Sequence, residues 1–244
     1  ITGGVRRVGL ATAHSFARAG CDLVLTYRTS EAAAKDASAH IASLYKVDVA
    51  INFLDLNDLQ AVEAFGSEQA TTLPRLDVLV HNASVYTPSP LPLLSGEEAL
   101  RAYRVNALAP LLLSKHLAPR LSESGRRGGS GAIVAVLDIH AMGNTRSGYS
   151  AYTMSKAALH EMVRSLAREL APHVRVNGVA PGVVAWPEQG DESGAQMQAA
   201  YLARVPVKRA GTPEDAAEAV RWLALDAKYT TGEVVRVDGG RGIV

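Results

Sequence analysis

The stretch from Ala132 to Lys156 reads AIVAVLDIHAMGNTRSGYSAYTMSK. Its opening, Ala132 to Leu137, is an apolar run that reads as a buried strand. Asp138 closes that run, and the carboxyl end of a strand in a parallel sheet is where such sheets open their ligand crevice. From Tyr149 to Leu170 the pattern turns helical, with Met154, Ala158, Met162, Val163, Leu166 and Leu170 on an apolar face wide enough to meet more than one neighbour. Within that helix Tyr152 and Lys156 share one face, one turn apart. A phenol beside an ammonium has its anion favoured, so this spacing predicts a lowered pKa for Tyr152 and a role in proton transfer. The same spacing describes an ordinary surface pair, and what sets it apart is the rest of the chain.

Strands and helices alternate outward from this unit in both directions. Ile1 to Gly9 reads ITGGVRRVG, a glycine loop ahead of a helix from Leu10 to Ala19. Glycines there let backbone N–H groups approach a phosphate, although a plain tight turn has the same composition. Asp22 to Tyr27 is a second strand, followed by Arg28, Thr29 and Ser30. In a doubly wound fold this position meets an adenosine ribose. Arg28 with two hydroxyls suits a 2′-phosphate, the alternative being a solvated arginine with Ser30 as the cap of the next helix. Helix Ala32 to Leu44, strand Val49 to Leu54 ending at Asp55, helix Leu59 to Glu68 and strand Asp77 to Val80 follow. That strand leads into His81, Asn82, Ala83 and Ser84. A helix from Glu97 to Leu121 holds Asn106 and Pro110, two poor helix formers whose presence suggests a site. After a Gly/Arg loop, Gly125 to Gly131, and the central unit come strand Val174 to Val179 with Pro181 and Gly182, a polar stretch Trp186 to Gly194 that reads as a candidate lid, helix Pro213 to Leu225 and strand Glu233 to Val237. The expectation is one α/β domain spanning residues 1–244, a doubly wound, mainly parallel sheet with helices on both faces. Because Ile1 abuts the glycine loop directly, a first strand is expected upstream of it.

The chain has 244 residues, 48% of them hydrophobic, enough for a two-sided core. Lys and Arg number 25 against 24 Asp and Glu, so nothing in the charge points to nucleic acid or a membrane surface. The lone cysteine, Cys21, excludes an internal disulfide and fits a reducing, cytoplasmic compartment. No two of the histidines stand at metal-ligand spacing, so no metal is expected. Ser150 and Ser155 flank Tyr152 without a histidine and acid to activate them, and Glu188, Asp191 and Glu192 read as a solvated loop.

Taken together, TGGVRRVG at Thr2, Asp55, NAS at Asn82, Asn106, Tyr152-x-x-x-Lys156, PG at Pro181 and VDGG at Val237 resemble the short-chain dehydrogenase/reductase family over essentially the whole chain. Within it, the sequence is most similar to the pteridine reductase and dihydromonapterin reductase branch. There Arg7 replaces a glycine of the loop, Asp138 replaces the usual serine, and NAS is followed by the aromatic Tyr86. The run GYSAYTMSK at Gly148 points the same way.

The resemblance implies NADPH as cofactor, held by Gly3, Arg7, Val8, Gly9, Arg28, Thr29, Ser30, Asp55, Asn82, Ala83, Pro181 and Gly182 together with Tyr152 and Lys156. It implies Tyr152 as proton donor, Lys156 on the nicotinamide ribose lowering the tyrosine pKa, and Asn106 binding a water that links Lys156 to solvent. Arg7, Ser84, Tyr86, Asp138 and Tyr152 would meet a pterin, with His140 a further candidate. His81 and Val184 depart from the branch pattern. The family also implies a homotetramer. On chemical grounds a carboxyl at Asp138 suits C=N reduction, which needs a proton on nitrogen. Reducing a ketone calls instead for a neutral donor to a developing alkoxide. The rival expectations are a carbonyl reductase of the 3-oxoacyl-carrier-protein type and a nonenzymatic dinucleotide sensor. Against the sensor stand Tyr152, Lys156 and Asn106, which a sensor does not need.

Overall fold

The computed structural model describes residues 1–129, 131–143, 145–186 and 194–244. Six strands are described: β1 (Leu23–Tyr27), β2 (Val49–Phe53), β3 (Val78–His81), β4 (Ala132–Val136), β5 (Arg175–Pro181) and β6 (Val234–Val237). Every pairing is parallel, in the orders β1-β2 and β3-β4-β5-β6. The main chain of Ile1 and Thr2 lies between the two groups. Thr26 N–H donates to the Ile1 carbonyl and Thr2 N–H to that of Val80, both at 3.0 Å. Strand order therefore runs outward in both directions from residues 1–2, which puts a topological switch point, and with it a crevice, beside the glycine loop.

Alternation along β4 shows why helices cover both faces. Ala132, Val134 and Val136 pack into one core with α1 (Arg7–Arg18), α2 (Glu31–Tyr45) and α8 (Pro213–Leu225). Ile133 and Ala135 face α5 (Ala109–Arg126) and α6 (Ser150–Glu169) on the other side. A third cluster joins Val62 of α3 (Leu59–Thr72) to Leu113 of α5. This is a Rossmann-like α/β fold, as the alternation predicts. Short caps set the helix starts: Asp58 accepts from Gln60 and Ala61 ahead of α3, and Thr212 forms a capping box with Asp215 ahead of α8.

Two expectations change. The helix expected from Glu97 to Leu121 is three pieces: α4 (Gly96–Tyr103), a π-helical turn Arg104–Leu108, and α5. Pro110 has no N–H to donate to the Asn106 carbonyl, so the α-helical ladder fails there, and Ala109 N–H bonds five residues back to Arg104 instead. The second change is α7 (Ala195–Ala203), which the sequence reading leaves out. Of the candidate lid, residues 187–193, including Glu188, Asp191 and Glu192, lie outside the described residues. No helix among the described residues is long and apolar enough to cross a membrane.

Candidate active site

The carboxyl ends of the strands open into a cavity of about 500 Å³ that extends from Arg28, Thr29 and Ser30 past the glycine loop to Tyr152. At its inner end Tyr152, Lys156 and Asn106 are buried, and Asp138 is half-buried at the end of β4. The Tyr152 hydroxyl donates to Asp138 Oδ2 at 2.7 Å, while Asp138 Oδ1 accepts the His140 N–H at 2.8 Å. Lys156 Nζ donates to the Val136 carbonyl at 2.7 Å. The strand that carries Asp138 thus also takes the lysine, and one turn of α6 presents both partners.

This geometry overturns the expected electrostatics. Burial and then the neighbouring Asp138 push the Tyr152 pKa up, well above the usual phenol, rather than down. The lysine is turned to a backbone carbonyl and is itself pushed down to about 8 by burial, against the opposing pull of Asp138. Tyr152 is therefore a protonated acid held by a carboxyl group, not a phenolate steadied by an ammonium.

The Asn106 side chain is fully engaged. Its Oδ1 accepts from Ser84 Oγ at 3.0 Å and Val85 N–H at 2.9 Å, and its Nδ2 donates to the Val85 carbonyl at 3.0 Å and Ser155 Oγ at 2.9 Å. Those four bonds occupy the side-chain amide, and an acceptor for the expected water would be the Asn106 carbonyl, which Pro110 leaves without its α-helical donor. The side chain ties the segment after β3 to the turn of α6 that holds Tyr152. Ser84, expected at the substrate, spends its hydroxyl on Asn106.

At the other end the loop is held by main-chain geometry. Gly3 has φ +61°, and a side chain on Gly9 would meet the Gly3 carbonyl oxygen at 2.1 Å. Asn82 Nδ2 bridges the carbonyls of Thr2 and Gly3 at 3.0 Å each, and Thr2 Oγ1 accepts from the N–H groups of Asn82 and Ala83. Asn82 thus braces the loop. Arg7, exposed at the start of α1, holds φ 48°, the left-handed region that non-glycine residues seldom adopt. The first turn of α1 has neither a capping side chain nor an acid, so its N–H groups suit an anion, with Val8 among the residues lining the cavity. Arg28 and Thr29 are exposed, and Ser30 caps α2 by accepting the Ala33 N–H at 3.3 Å. Asp55 accepts the Asn57 N–H, and Gly182 N–H, after Pro181, pairs with Val237. A loop emptied of side chains, an uncapped helix start and a cation beyond β1 fit a dinucleotide.

Buried beneath the cleft is His81, whose Nε2 lies 2.9 Å from Ser114 Oγ while its Nδ1 has no partner. Burial pushes its pKa down to about 3. Val184 is buried on the cavity wall. Among the described residues no cluster of His, Cys, Asp and Glu could hold a metal.

Sequence reasoning misses one part of the site. Tyr86 stacks on Tyr149 with ring centres 4.7 Å apart at 19° and meets Tyr152 edge-on at 4.8 Å. Arg146 donates to the Tyr86 hydroxyl at 2.7 Å and lies 4.5 Å over the Tyr149 ring. Burial raises the Tyr86 pKa despite that arginine. Arg146 and Tyr149 stand in plain view in the quoted stretch, yet nothing in their spacing signals a cluster with Tyr86, which lies before α4. Tyr201, on α7, closes the wall and accepts the Val183 N–H at 3.2 Å.

A family described as enoyl-(acyl carrier protein) reductase matches residues 4–241. The chain is 31% identical to L-rhamnose 1-dehydrogenase (NAD(P)(+)) of Sphingomonas sp. strain SKA58, over 98% of this chain and 94% of that one. It is likewise 31% identical to pteridine reductase 1 of Leishmania tarentolae, over 98% and 94%. The crystal structure of acetoin dehydrogenase YohF from Salmonella typhimurium superposes with a TM-score of 0.87 at 29% identity, covering 100% of this chain and 95% of that one.

Proposed function

The chain belongs to the short-chain dehydrogenase/reductase family, oxidoreductases that use a nicotinamide cofactor, and from that premise we infer that it is an NADPH-dependent reductase of a pterin or dihydropterin. One observation carries the substrate assignment: the Tyr152 hydroxyl bonded to a carboxyl oxygen of Asp138 at 2.7 Å. When bound, the nicotinamide supplies the hydride that reaches carbon. Reduction of a C=N bond then places one proton on nitrogen. Burial and Asp138 keep that proton on the phenol until it is needed. It passes to nitrogen across the Tyr152–Asp138 pair, which acts as one acid, and is replaced from solvent along the cleft. A ketone would instead develop an alkoxide, which a carboxylate repels.

In this reading Gly3, Arg7, Val8 and Gly9 cradle the pyrophosphate, and Arg28, Thr29 and Ser30 meet the 2′-phosphate. Asp55, Asn82 and Ala83 lie by the adenosine half, with Pro181 and Gly182 along the cofactor path. Lys156 moves from the Val136 carbonyl to the nicotinamide ribose. Arg7, Ser84 and Tyr86 border the pterin. Met154 of α6, 72% exposed, and Leu111 of α5, 41% exposed, support assembly as a homotetramer through these helices. Light scattering at micromolar concentration checks it.

A second reading, a carbonyl reductase, is favoured by the likeness to acetoin dehydrogenase and by the Tyr149 ring already lying on one face of Tyr86. NADPH oxidation against biopterin, dihydrofolate, dihydromonapterin and a 3-oxoacyl thioester separates the two. The pterin reading expects turnover with one of the first three, and it expects Asp138→Ser to lower that turnover and admit ketones. Ready reduction of the thioester with no pterin turnover selects the second reading.

A further inference from the structure

Leaving the cavity wall at Tyr86, the chain reads TPSP from Thr87 to Pro90. A proline fixes its own φ and pushes the residue before it towards extended backbone, so Pro88 and Pro90 favour an extended segment through Ser89. From Pro88 to Pro90 only Ser89 keeps a main-chain N–H. That N–H donates to the Gly148 carbonyl at 2.6 Å, and Ser89 forms an isolated parallel bridge with Tyr149. The Ser89 hydroxyl, in a residue 6% exposed, accepts the Ala151 N–H at 3.3 Å.

Ala151 is the second residue of α6 and Tyr152 the third. A helix leaves its first N–H groups without partners of its own, and the side chain of the residue just ahead ordinarily accepts one of them. Tyr149, which holds that place before α6, makes no such bond, and the first turn carries no acid. The cap comes instead from Ser89, 62 residues back in the chain. Ser84, Val85 and Tyr86 of the same segment line the catalytic cavity, whereas Ser89 does not.

Resting on the reading of Tyr152 as the proton donor, we propose that Ser89 is a positioning residue of the reaction: it caps α6 from outside the helix and fixes the first turn, so that the Tyr152 hydroxyl stays on Asp138. Helices fray from their ends, and Tyr152 lies in the turn that would fray. Lys156 is one turn deeper and is held by the Val136 carbonyl, so the cap acts on the tyrosine first. The wall that borders the substrate and the helix that supplies the acid are thereby tied into one body.

The test compares Ser89→Ala with Asp58→Ala, which removes the cap of α3, a helix without catalytic side chains. Ser89→Ala should speed hydrogen exchange across residues 150–156. It should also lower kcat at least about tenfold with KM kept within about twofold, because a slightly misplaced group loses rate steeply. Proton transfer then limits turnover, so the solvent deuterium effect on kcat should grow, which a smaller folded fraction would not cause. Ser89→Thr, which keeps the hydroxyl, should restore most of the rate. Asp58→Ala should lower the melting temperature and leave kcat and the isotope effect as in the native enzyme. Unchanged exchange in the first turn of α6 overturns the cap, with or without turnover. A rise in KM alone, or an equal loss of kcat in Asp58→Ala, overturns the positioning role. Should Ser89→Ala fail to fold, Ser89→Thr is set against Ser89→Val, its isostere without the hydroxyl, and equal kcat overturns the proposal. Kinetics are read on whichever substrate is turned over. Thioester reduction without pterin turnover removes the pterin reading and leaves this test intact, and pterin reduction with native kcat in Ser89→Ala does the reverse.

Discussion

At the glycine-loop end of the cleft, main-chain atoms are held largely by main-chain atoms, with the side chains of Thr2, Thr26 and Asn82 as braces. At the Tyr152 end, side chains from four separate segments hold one another: Tyr86 after β3, Asn106 in the π turn, Asp138 after β4, and Arg146 and Tyr149 ahead of α6. The first end can accept any ligand that presents phosphates to N–H groups. The second is specific because each of its parts can be exchanged without disturbing the sheet. A fold can thus keep one half of its cleft constant and vary the chemistry in the other.

The side-chain end breaks most easily. Tyr152→Phe removes the acid and leaves the ring, so turnover should fall by about 10²–10⁴-fold, the usual contribution of a positioned acid. Steady-state NADPH oxidation reads it, and loss of less than tenfold would place the proton on Asp138 alone. The floor common to both ends responds to pH. His81 is pushed down to about 3 from the ordinary 6.5, so the unfolded chain binds more protons than the folded one between those values. Stability from keeping His81 neutral is complete above pH 6.5 and is lost as pH falls towards 3, with a slope approaching about 1.4 kcal/mol per pH unit. Melting temperatures across that range should show it, and His81→Asn should flatten the curve. The main-chain end breaks through Gly9→Ala, whose new methyl would sit 2.1 Å from the Gly3 carbonyl oxygen. Overpacking against backbone costs roughly 1–3 kcal/mol, and cofactor affinity should fall with it. Chemical denaturation and cofactor fluorescence measure the two losses, and a fully stable variant that binds NADPH normally would show that the loop is not rigid.

The contrast also explains what was legible in the sequence. The alternating sheet, the glycine loop and the Tyr152–Lys156 spacing are local patterns, because strand period, helix period and φ > 0 leave marks on neighbouring residues. The helix Pro213–Leu225 matches end for end, since Thr212 and Pro213 mark its start in residues that do nothing else. What was not legible is long-range. The lysine one turn along the helix predicts a lowered tyrosine pKa, whereas the partner that decides it, Asp138, lies across a loop, and the lysine is turned to Val136. The Tyr86–Tyr149–Arg146 cluster and the Ser89 cap of α6 join segments whose spacing carries no period, so only packing brings them together.

Arg28 tests whether the constant half is as permissive as its backbone construction suggests. The side chain is exposed beyond β1, with Ser30 already engaged as the cap of α2. If Arg28 meets a 2′-phosphate, the native enzyme should prefer NADPH over NADH by about ten- to a hundredfold, the contribution of a charge-assisted contact. Arg28→Asp should erase or reverse that preference without changing turnover at saturation. Equal kcat/KM for the two cofactors in the native protein would assign Arg28 to solvent and leave the loop indifferent to the phosphate.

Tyr86 gives the smallest effect and the sharpest division. Its ring has Tyr149 on one side and the edge of Tyr152 nearby, so it could act as a stacking surface for a flat substrate or as a brace that sets the angle of Tyr152. The two roles separate in the kinetics. A stacking surface contributes roughly 0.5–1.5 kcal/mol to binding, so Tyr86→Ala should raise the pterin KM about two- to tenfold with kcat nearly kept. A brace acts on the acid, so the same substitution would lower kcat, shift its pH profile and leave KM alone. Tyr86→Phe keeps the ring and loses only the bond from Arg146, and under stacking it should be close to native. If Tyr86→Ala lowers kcat and spares KM, the aromatic cluster belongs to the proton donor, and recognition of the ring must come from Arg7 and Asp138 across the cleft.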